Sequence, residues 1–94
     1  MLKHIVMWRL KDAEKNAPVL KKMLEGLAEK IPQIVKIEAG VNFNPSENSA
    51  DVVLYSEFEN SDALAAYQKH PDHLKVAEFL KEKATDRRVV DYED

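Results

Sequence analysis

The segment Lys3-His4-Ile5-Val6-Met7-Trp8-Arg9-Leu10-Lys11 has the composition of a β-strand, because it is rich in β-branched, aromatic and long apolar side chains. Successive side chains of a strand point to opposite faces, so its two sets of alternate residues can be compared. One set comprises His4, Val6, Trp8 and Leu10, and the other has Ile5 and Met7 between charged residues. Both sets contain large apolar side chains, which predicts a strand that is covered on both faces.

Helical spacing begins further along the chain, after residue 16. The apolar residues that recur at this spacing are Leu20, Met23, Leu24, Leu27 and Ile31. Asn16 is the predicted N-cap, and Pro18 falls in the first turn, where a missing N–H costs no hydrogen bond. We expect this helix to end near Pro32.

Two further strands are predicted on either side of a polar segment, residues 42–49. In residues 34–43 the apolar side chains share one parity; they are Val35, Ile37, Ala39, Val41 and Phe43. Residues 52–58 form the next apolar run. Two such runs joined by a loop rich in Asn, Ser and Pro are typical of a hairpin.

The second half of the chain contains a helix that is interrupted by a proline. Asn60-Ser61-Asp62 is an N-cap signal, and the helix that it opens should stop near His70, because a residue before proline is disfavoured in the helical region. Pro71 begins the next helix, and residues 87–92 form the last strand. The predicted apolar stripe of that helix comprises Leu74, Ala77, Leu80 and Ala84, with Phe79 beside it. The element order is therefore βαββαβ, with the second helix split at His70-Pro71.

This order is typical of the α+β, ferredoxin-like fold, in which a four-stranded antiparallel sheet carries its helices on one face only. The other face needs a cover, since the first and third strands are apolar on both faces. A second copy of the chain would supply that cover by packing sheet against sheet. The expected assembly is therefore a homodimer, which closes the two sheets into a dimeric α/β barrel.

Length and composition limit the architecture and the partners. The chain has 94 residues, 45% of them apolar, which suits one domain over residues 1–94. Its formal charge is −3 and its basic residues are scattered, so nucleic acid is not an expected partner. The amino terminus has neither the apolar core of a signal peptide nor an apolar segment of membrane length, so no membrane association is expected. The lack of cysteine is compatible with a reducing compartment, and a cytoplasmic location is predicted.

The candidate site combines a histidine of the first strand with the segment Tyr67-Gln68-Lys69-His70-Pro71-Asp72-His73. If the more apolar face of the strand lies under the helices, His4 shares a space with Tyr67 and His73. The helix that begins at Pro71 places its positive end near His73, which lowers the pKa of that imidazole and favours the neutral base. His73 is then the candidate base, His4 a second acid or base, and Tyr67 the hydroxyl that stabilises an oxyanion.

His70 and Trp8 are predicted to bind substrate, but both also have structural interpretations. His70 precedes a proline and can be a helix cap, while Trp8 can fill the core. His4 can simply be hydrogen-bonded near a strand end. These alternatives stay open at the level of sequence.

Other chemistries have weaker support in the sequence. His70, Asp72 and His73 are close together but do not complete a recognised metal site, so no metal and no cofactor are expected. The chain has no cysteine, no serine in an elbow motif and too few glycines for a phosphate loop. The last four residues, Asp91-Tyr92-Glu93-Asp94, are interpreted as a solvated acidic tail.

Over nearly its whole length the chain resembles the stress-responsive dimeric α/β barrel proteins, or Dabb domains. The matching segments are Lys3 to Lys11, Ile31-Pro32-Gln33-Ile34, Glu38-Ala39-Gly40, Tyr67 to His73, Ala77-Glu78-Phe79 and Val89-Val90-Asp91-Tyr92. The resemblance implies a ferredoxin-like protomer that dimerises through its sheet. It also includes a plant branch of polyketide cyclases, which close a linear polyketide by an intramolecular aldol reaction without cofactor or metal. The working residues of that branch correspond to His4, Tyr67 and His73 here.

Three functions follow as hypotheses. The first is an enzyme with an internal pocket that performs cofactor-independent acid/base chemistry on a carbonyl-containing apolar metabolite, as polyketide cyclases do. The second is a noncatalytic, stress-related homodimer or a binder of a small apolar carbonyl or phenolic ligand. The third is a cofactor-free activity like that of the monooxygenases among the fold relatives.

Overall fold

A computed structural model describes all 94 residues and shows the predicted βαββαβ order. The elements are β1 (Leu2–Leu10), α1 (Ala13–Gly26) with a 3₁₀ turn (Leu27–Glu29), β2 (Lys36–Val41), β3 (Val52–Phe58), α2 (Ser61–Lys69), α3 (Pro71–Lys83) and β4 (Ala84–Glu93). The ferredoxin-like α+β fold predicted from the sequence is confirmed, including the split second helix.

The four strands form one antiparallel sheet in the order β2-β3-β1-β4, so β1 lies between β3 and the edge strand β4. Directly opposed residues of neighbouring strands point to the same face. The register therefore places Asp91 beside His4 and Arg87 beside Trp8, on the face that the helices cover. This face, with His4, Val6 and Trp8, is called the helix side below; the opposite one, with Ile5 and Met7, is called the open face.

The hydrophobic core lies between the helix side of the sheet and the helices. Its fully buried members include Leu20 of α1, Phe58 at the end of β3 and Tyr67 of α2. Helix α1 packs closely on β2, whereas α3 contacts α1 and α2 and touches the strands little. The space left between α3 and the sheet becomes a cavity.

Two local signals in the second half of the chain are confirmed. The Asn60 side chain accepts a hydrogen bond from the Ala63 N–H at 2.9 Å and caps α2. Helix α2 ends at Lys69, His70 has an extended backbone, and α3 begins at Pro71. Both boundaries are set locally: the Asn60 side chain binds a backbone N–H three residues further on, and Pro71 disfavours a helical backbone at His70.

The predicted start of the first helix was wrong by four residues. Asp12, with the left-handed φ of 44°, is the N-cap, so Asn16 lies inside α1 and is buried. The Asn16 side-chain amide donates to the Lys11 carbonyl at 2.7 Å and ties the helix to the end of β1. Pro18 falls in the second turn, inside the helix, where its ring nitrogen leaves one carbonyl without the usual helical partner.

The predicted second strand and the apolar stripe of α3 also need correction. β2 spans only Lys36–Val41, and Phe43 is 89% exposed in the loop beyond it. On α3, Leu74 is exposed and Val76 is the buried residue. The remaining stripe positions, Ala77, Leu80 and Ala84, line the cavity beside the sheet; Leu80 and Ala84 also pack against the core, and Ala84 is already the first residue of β4.

The open face of the sheet is not covered within one chain. Met7, Val53, Val90 and Tyr92 are exposed there. This agrees with the predicted arrangement, in which the helices cover one face of the sheet and the other face needs a second copy of the chain as its cover. None of the helices combines the length and the apolar character needed to cross a membrane.

Candidate active site

A cavity of about 310 Å³ lies between α3 and the helix side of the sheet. Fourteen residues line it and nine of them are hydrophobic, so its walls are largely apolar. The other five are His4, Gln68, His73, Lys81 and Arg87, and two of the hydrophobic residues, Trp8 and Tyr67, carry a polar N–H or O–H group. A mostly apolar hollow with a few convergent polar groups is the usual form of a small-molecule site.

Three rings predicted from the sequence come together in this cavity. The Tyr67 and His73 ring centroids lie 4.6 Å apart, edge to face, and the His4 centroid lies 6.3 Å from that of Tyr67. The Phe58 ring packs against these three rings, with its centroid 4.9 Å from that of Tyr67. The break at His70-Pro71 allows the end of α2 and the first turn of α3 to present Tyr67 and His73 side by side.

Tyr67 is fully buried, and its hydroxyl has no hydrogen-bond partner in the chain. Burial disfavours the phenolate and raises the pKa of Tyr67 to about 12. The group therefore keeps its proton at neutral pH and is available as a hydrogen-bond donor. That is the protonation state needed to stabilise an oxyanion.

His73 is partly buried, and its Nδ1 has no hydrogen-bond partner in the chain. Burial is the main reason that the pKa of His73 falls below its ordinary value of 6.5. The Gln68 backbone opposes this shift, whereas the nearby His4 and Arg87 charges reinforce it. The lowered pKa agrees with the sequence prediction, but its main cause is desolvation and not the helix terminus that the sequence suggested.

His4 is buried, with 3% of its surface exposed, and its Nδ1 is hydrogen-bonded to the Asp91 carboxylate on β4. A carboxylate only accepts hydrogen bonds, so this contact places the shared proton on Nδ1 and leaves Nε2 for a different partner. The sequence analysis placed Asp91 within the predicted last strand, residues 87–92, but treated its carboxylate as part of a solvated acidic tail. The strand register instead pairs Asp91 directly with His4, and this contact was missed.

Trp8 and His70, the two predicted substrate contacts, occupy different environments. Trp8 lines the cavity, and its indole N–H is buried without a partner in the chain. His70 is not among the residues that line it; its Nδ1 accepts a hydrogen bond from the Asp72 N–H at 3.1 Å. His70 thus caps α3, which is the structural alternative that the sequence had left open.

No three metal-ligating side chains of the chain cluster closely enough to hold a metal ion. His73 faces the cavity while His70 and Asp72 contact each other at the helix start. The first turn of α3 therefore divides the three residues between two environments.

The family model of the Stress responsive A/B Barrel Domain, Dabb, matches residues 2–94. The chain belongs to the Dabb family. The family resemblance predicted from the His-Pro-x-His segment and the Lys-His start is thereby confirmed.

Solved structures with the same fold have several kinds of description. A dimeric protein of unknown function from Bacteroides fragilis NCTC 9343 is 38% identical, with a TM-score of 0.90 over 99% of this chain and 95% of that one. Hydroxynitrile lyase from Passiflora edulis is 18% identical, with a TM-score of 0.82 over 97% and 90%. An antibiotic biosynthesis monooxygenase is 16% identical, with a TM-score of 0.79 over 100% and 98%.

The likeness to the lyase and the monooxygenase shows the shared fold alone. No curated protein sequence matches the chain. Any activity must therefore be argued from the residues of the cavity.

Proposed function

We propose that this Dabb protein is a homodimeric enzyme that moves protons at a carbon next to a carbonyl group, without a cofactor. The observation that carries the proposal is the meeting of His4, Tyr67 and His73 in one apolar cavity, where the Tyr67 hydroxyl and His73 Nδ1 have no partner within the chain. Unpartnered buried polar atoms are rare in folded proteins and are often functional. Proton transfer is the chemistry that suits a neutral imidazole beside a neutral phenol.

The first step assigns His73 as the base. Its lowered pKa keeps the imidazole neutral at physiological pH, so a ring nitrogen can accept the proton of the carbon beside the carbonyl. The electron pair of the broken C–H bond moves onto the carbonyl oxygen and forms an enolate. The Tyr67 hydroxyl donates a hydrogen bond to that oxygen and stabilises its growing negative charge.

The second step returns the proton. In the simplest outcome His73 gives it back to the carbon and restores the ketone. In an aldol reaction the enolate carbon instead forms a C–C bond with a second carbonyl of the same molecule, and the resulting alkoxide takes the proton from His73. His4, oriented by Asp91, is the second acid or base and positions the substrate, and Trp8 forms part of the apolar wall.

The homodimer is proposed from the open face. That face exposes apolar side chains of the central strands, and the Bacteroides fragilis relative, 38% identical, is described as dimeric. A second copy that packs on this face would bury Met7, Val53 and Val90. The cavity lies on the other side of the sheet, so each subunit retains its own site.

Deuterium exchange tests the proton transfer without knowledge of the natural substrate. The protein is incubated in D₂O with a panel of simple methyl ketones and acetylphenols, and NMR follows the loss of the protons next to the carbonyl. We expect catalysed exchange in the wild-type protein, and a loss of roughly a hundredfold or more in His73→Ala. Exchange at the wild-type rate in His73→Ala would refute the assignment of the base.

A matched pair of tyrosine variants tests the oxyanion donor. Tyr67→Phe removes the cavity hydroxyl and should slow the exchange by about a hundredfold. Tyr92→Phe makes the same change on the open face and should leave the rate unchanged. Binding of ketones without exchange in the wild-type protein would contradict the enzyme and favour the noncatalytic binder.

A further inference from the structure

The lining of the cavity includes two cationic side chains and no carboxylate, and the nearby Asp91 carboxylate is hydrogen-bonded to His4. Lys81 of α3 and Arg87 of β4 are its formally charged lining residues, and no aspartate or glutamate lines it. Neither cation forms an ion pair within the chain, although carboxylates outnumber cations overall, 17 to 14. This cavity is therefore a local positive region in a protein of net negative charge.

The indole of Trp8 adds a third unused donor to this region. Trp8 and Arg87 are directly opposed across β1 and β4, and the Trp8 N–H is buried with no acceptor in the chain. Indole, guanidinium and ammonium groups are hydrogen-bond donors without acceptor capacity. Three donors and two positive charges together match an anionic acceptor, and a planar carboxylate suits the guanidinium fork of Arg87.

The spacing along β1 separates this donor group from the proton-transfer residues. His4 and Trp8 are four residues apart on one face of the strand, so their backbones are about 13 Å apart. Phe58, Tyr67 and His73 gather at the His4 end. A ligand that reaches both regions needs an extended body between its two polar ends.

We infer that the natural ligand is an apolar keto acid, whose carbonyl lies at Tyr67 and His73 and whose carboxylate is bound by Lys81, Arg87 and the Trp8 N–H. This inference rests on the proposed function, in that it takes the cavity to be the ligand site, and it adds the substrate class. The carboxylate thus fixes the end of the ligand that does not react.

Calorimetric titration with matched compounds tests the carboxylate. The ligands are 5-oxohexanoate, 7-oxooctanoate and 9-oxodecanoate, each compared with its primary amide, which has nearly the same shape and no charge. We expect at least one acid to bind roughly tenfold more tightly than its amide. Equal affinities for acid and amide at all three lengths, or no binding of any acid, would overturn the inference.

Charge variants test the residues. Arg87→Gln and Lys81→Gln should each weaken binding of the acid much more than binding of its amide, and so remove most of the preference for the acid. Lys83→Gln is the control, because it removes one positive charge from the same helix end at a residue that does not line the cavity. Loss of the preference in Lys83→Gln to the same extent would overturn the assignment of Lys81 and Arg87.

Two further measurements distinguish carboxylate binding from phosphate binding and from the proposed proton transfer. Octyl phosphate that binds more tightly than 7-oxooctanoate would overturn the carboxylate assignment in favour of a phosphate group. Deuterium exchange of neutral methyl ketones needs no carboxylate on the ligand, so it is measured independently of the preference for acids. Exchange without any preference for acids would therefore refute the keto-acid inference alone, whereas acid binding without exchange would refute the proposed proton transfer alone.

Discussion

The two faces of the sheet are formed by the same four strands but differ in what they leave unsatisfied. On the helix side the apolar side chains of β1 and β3 are buried, while polar atoms of Trp8, Tyr67 and His73 lack partners. On the open face the Tyr55 hydroxyl donates a hydrogen bond to Glu57 at 2.6 Å, while apolar side chains such as Met7 and Val53 remain exposed. Unpaired polar atoms around a hollow suit a small ligand, whereas an exposed apolar surface suits another protein surface.

Lysine substitutions at two adjacent positions of β3, one on each face of the sheet, should have the largest effects and test the difference between the faces most directly. Val52 is on the helix side with 1% of its surface exposed, so Val52→Lys would bury an ammonium group among apolar residues. We expect a loss of about 4 kcal/mol or more in the free energy of unfolding, measured by urea denaturation. A folded Val52→Lys variant of nearly wild-type stability would show that the helix side is not a closely packed core.

The neighbouring substitution, Val53→Lys, should leave the fold intact and disrupt the proposed dimer. Two copies of the new charge would meet across the interface, and we expect the dissociation constant to rise by about a hundredfold or more. Light scattering over a range of protein concentrations measures the change. Val19→Lys is the control, because Val19 is similarly exposed, 44% against 37%, but lies on α1. A Val53→Lys dimer as tight as the wild-type one would move the interface elsewhere.

Asp91→Asn tests the hydrogen bond between Asp91 and His4 on the helix side of the sheet. The amide keeps the shape of the carboxylate but not its charge, so His4 should lose its preferred tautomer and deuterium exchange should slow by about tenfold. The ¹⁵N shifts of the His4 ring report the tautomer directly. Glu93→Gln removes a charge from the same side of β4 and should alter neither. An unchanged His4 tautomer in Asp91→Asn would remove the positioning role of Asp91.

The smallest expected effect is the pH dependence of exchange. Because burial and the nearby Arg87 and His4 charges disfavour the imidazolium, His73 loses its proton at a lower pH than an ordinary histidine. The exchange rate should therefore rise with pH through a midpoint below 6.5 and be level above it. The phenol of Tyr67 keeps its proton until about pH 12, so it does not limit this plateau.

Removal of a cation tests the cause of that shift. Arg87→Gln should move the midpoint upward towards 6.5, because one unfavourable charge near the imidazolium is lost. Arg88→Gln, on the open face, should leave it unchanged. A wild-type midpoint above 6.5 would mean that another group is the base.

The fold was predictable because most of its elements have local signals. The cap at Asn60 and the proline at 71 act within a few residues, and the alternation in β1 is complete within nine residues. The start of α1 was placed wrongly, because its N-cap, Asp12, has a left-handed backbone conformation and the residues around it give no sequence signal for that conformation. Leu74 was assigned to the core because helical spacing gives the period of a stripe but not the packing of each member.

The site was predictable only where the chain itself brings residues together. Tyr67 and His73 flank one helix break, and their proximity follows from local geometry. Asp91 and Arg87 join the site through the pairing of β4 with β1, across more than seventy positions of sequence. Such a register depends on the whole sheet, so a short acidic or basic segment gave no sign of its place in the cavity.

The edge strand β4 contributes residues both to the candidate site and to the open face of the sheet. Arg87 and Asp91 alternate along one backbone with Arg88, Val90 and Tyr92, and this backbone is anchored to β1 alone. A slip by a single position would exchange the two sets, turning Arg87 away from the cavity and Asp91 away from His4. A partner that packs on the open face of β4 would thus also hold Arg87 and Asp91 in place. Selection on the residues of one face of β4 therefore constrains the residues of the other face.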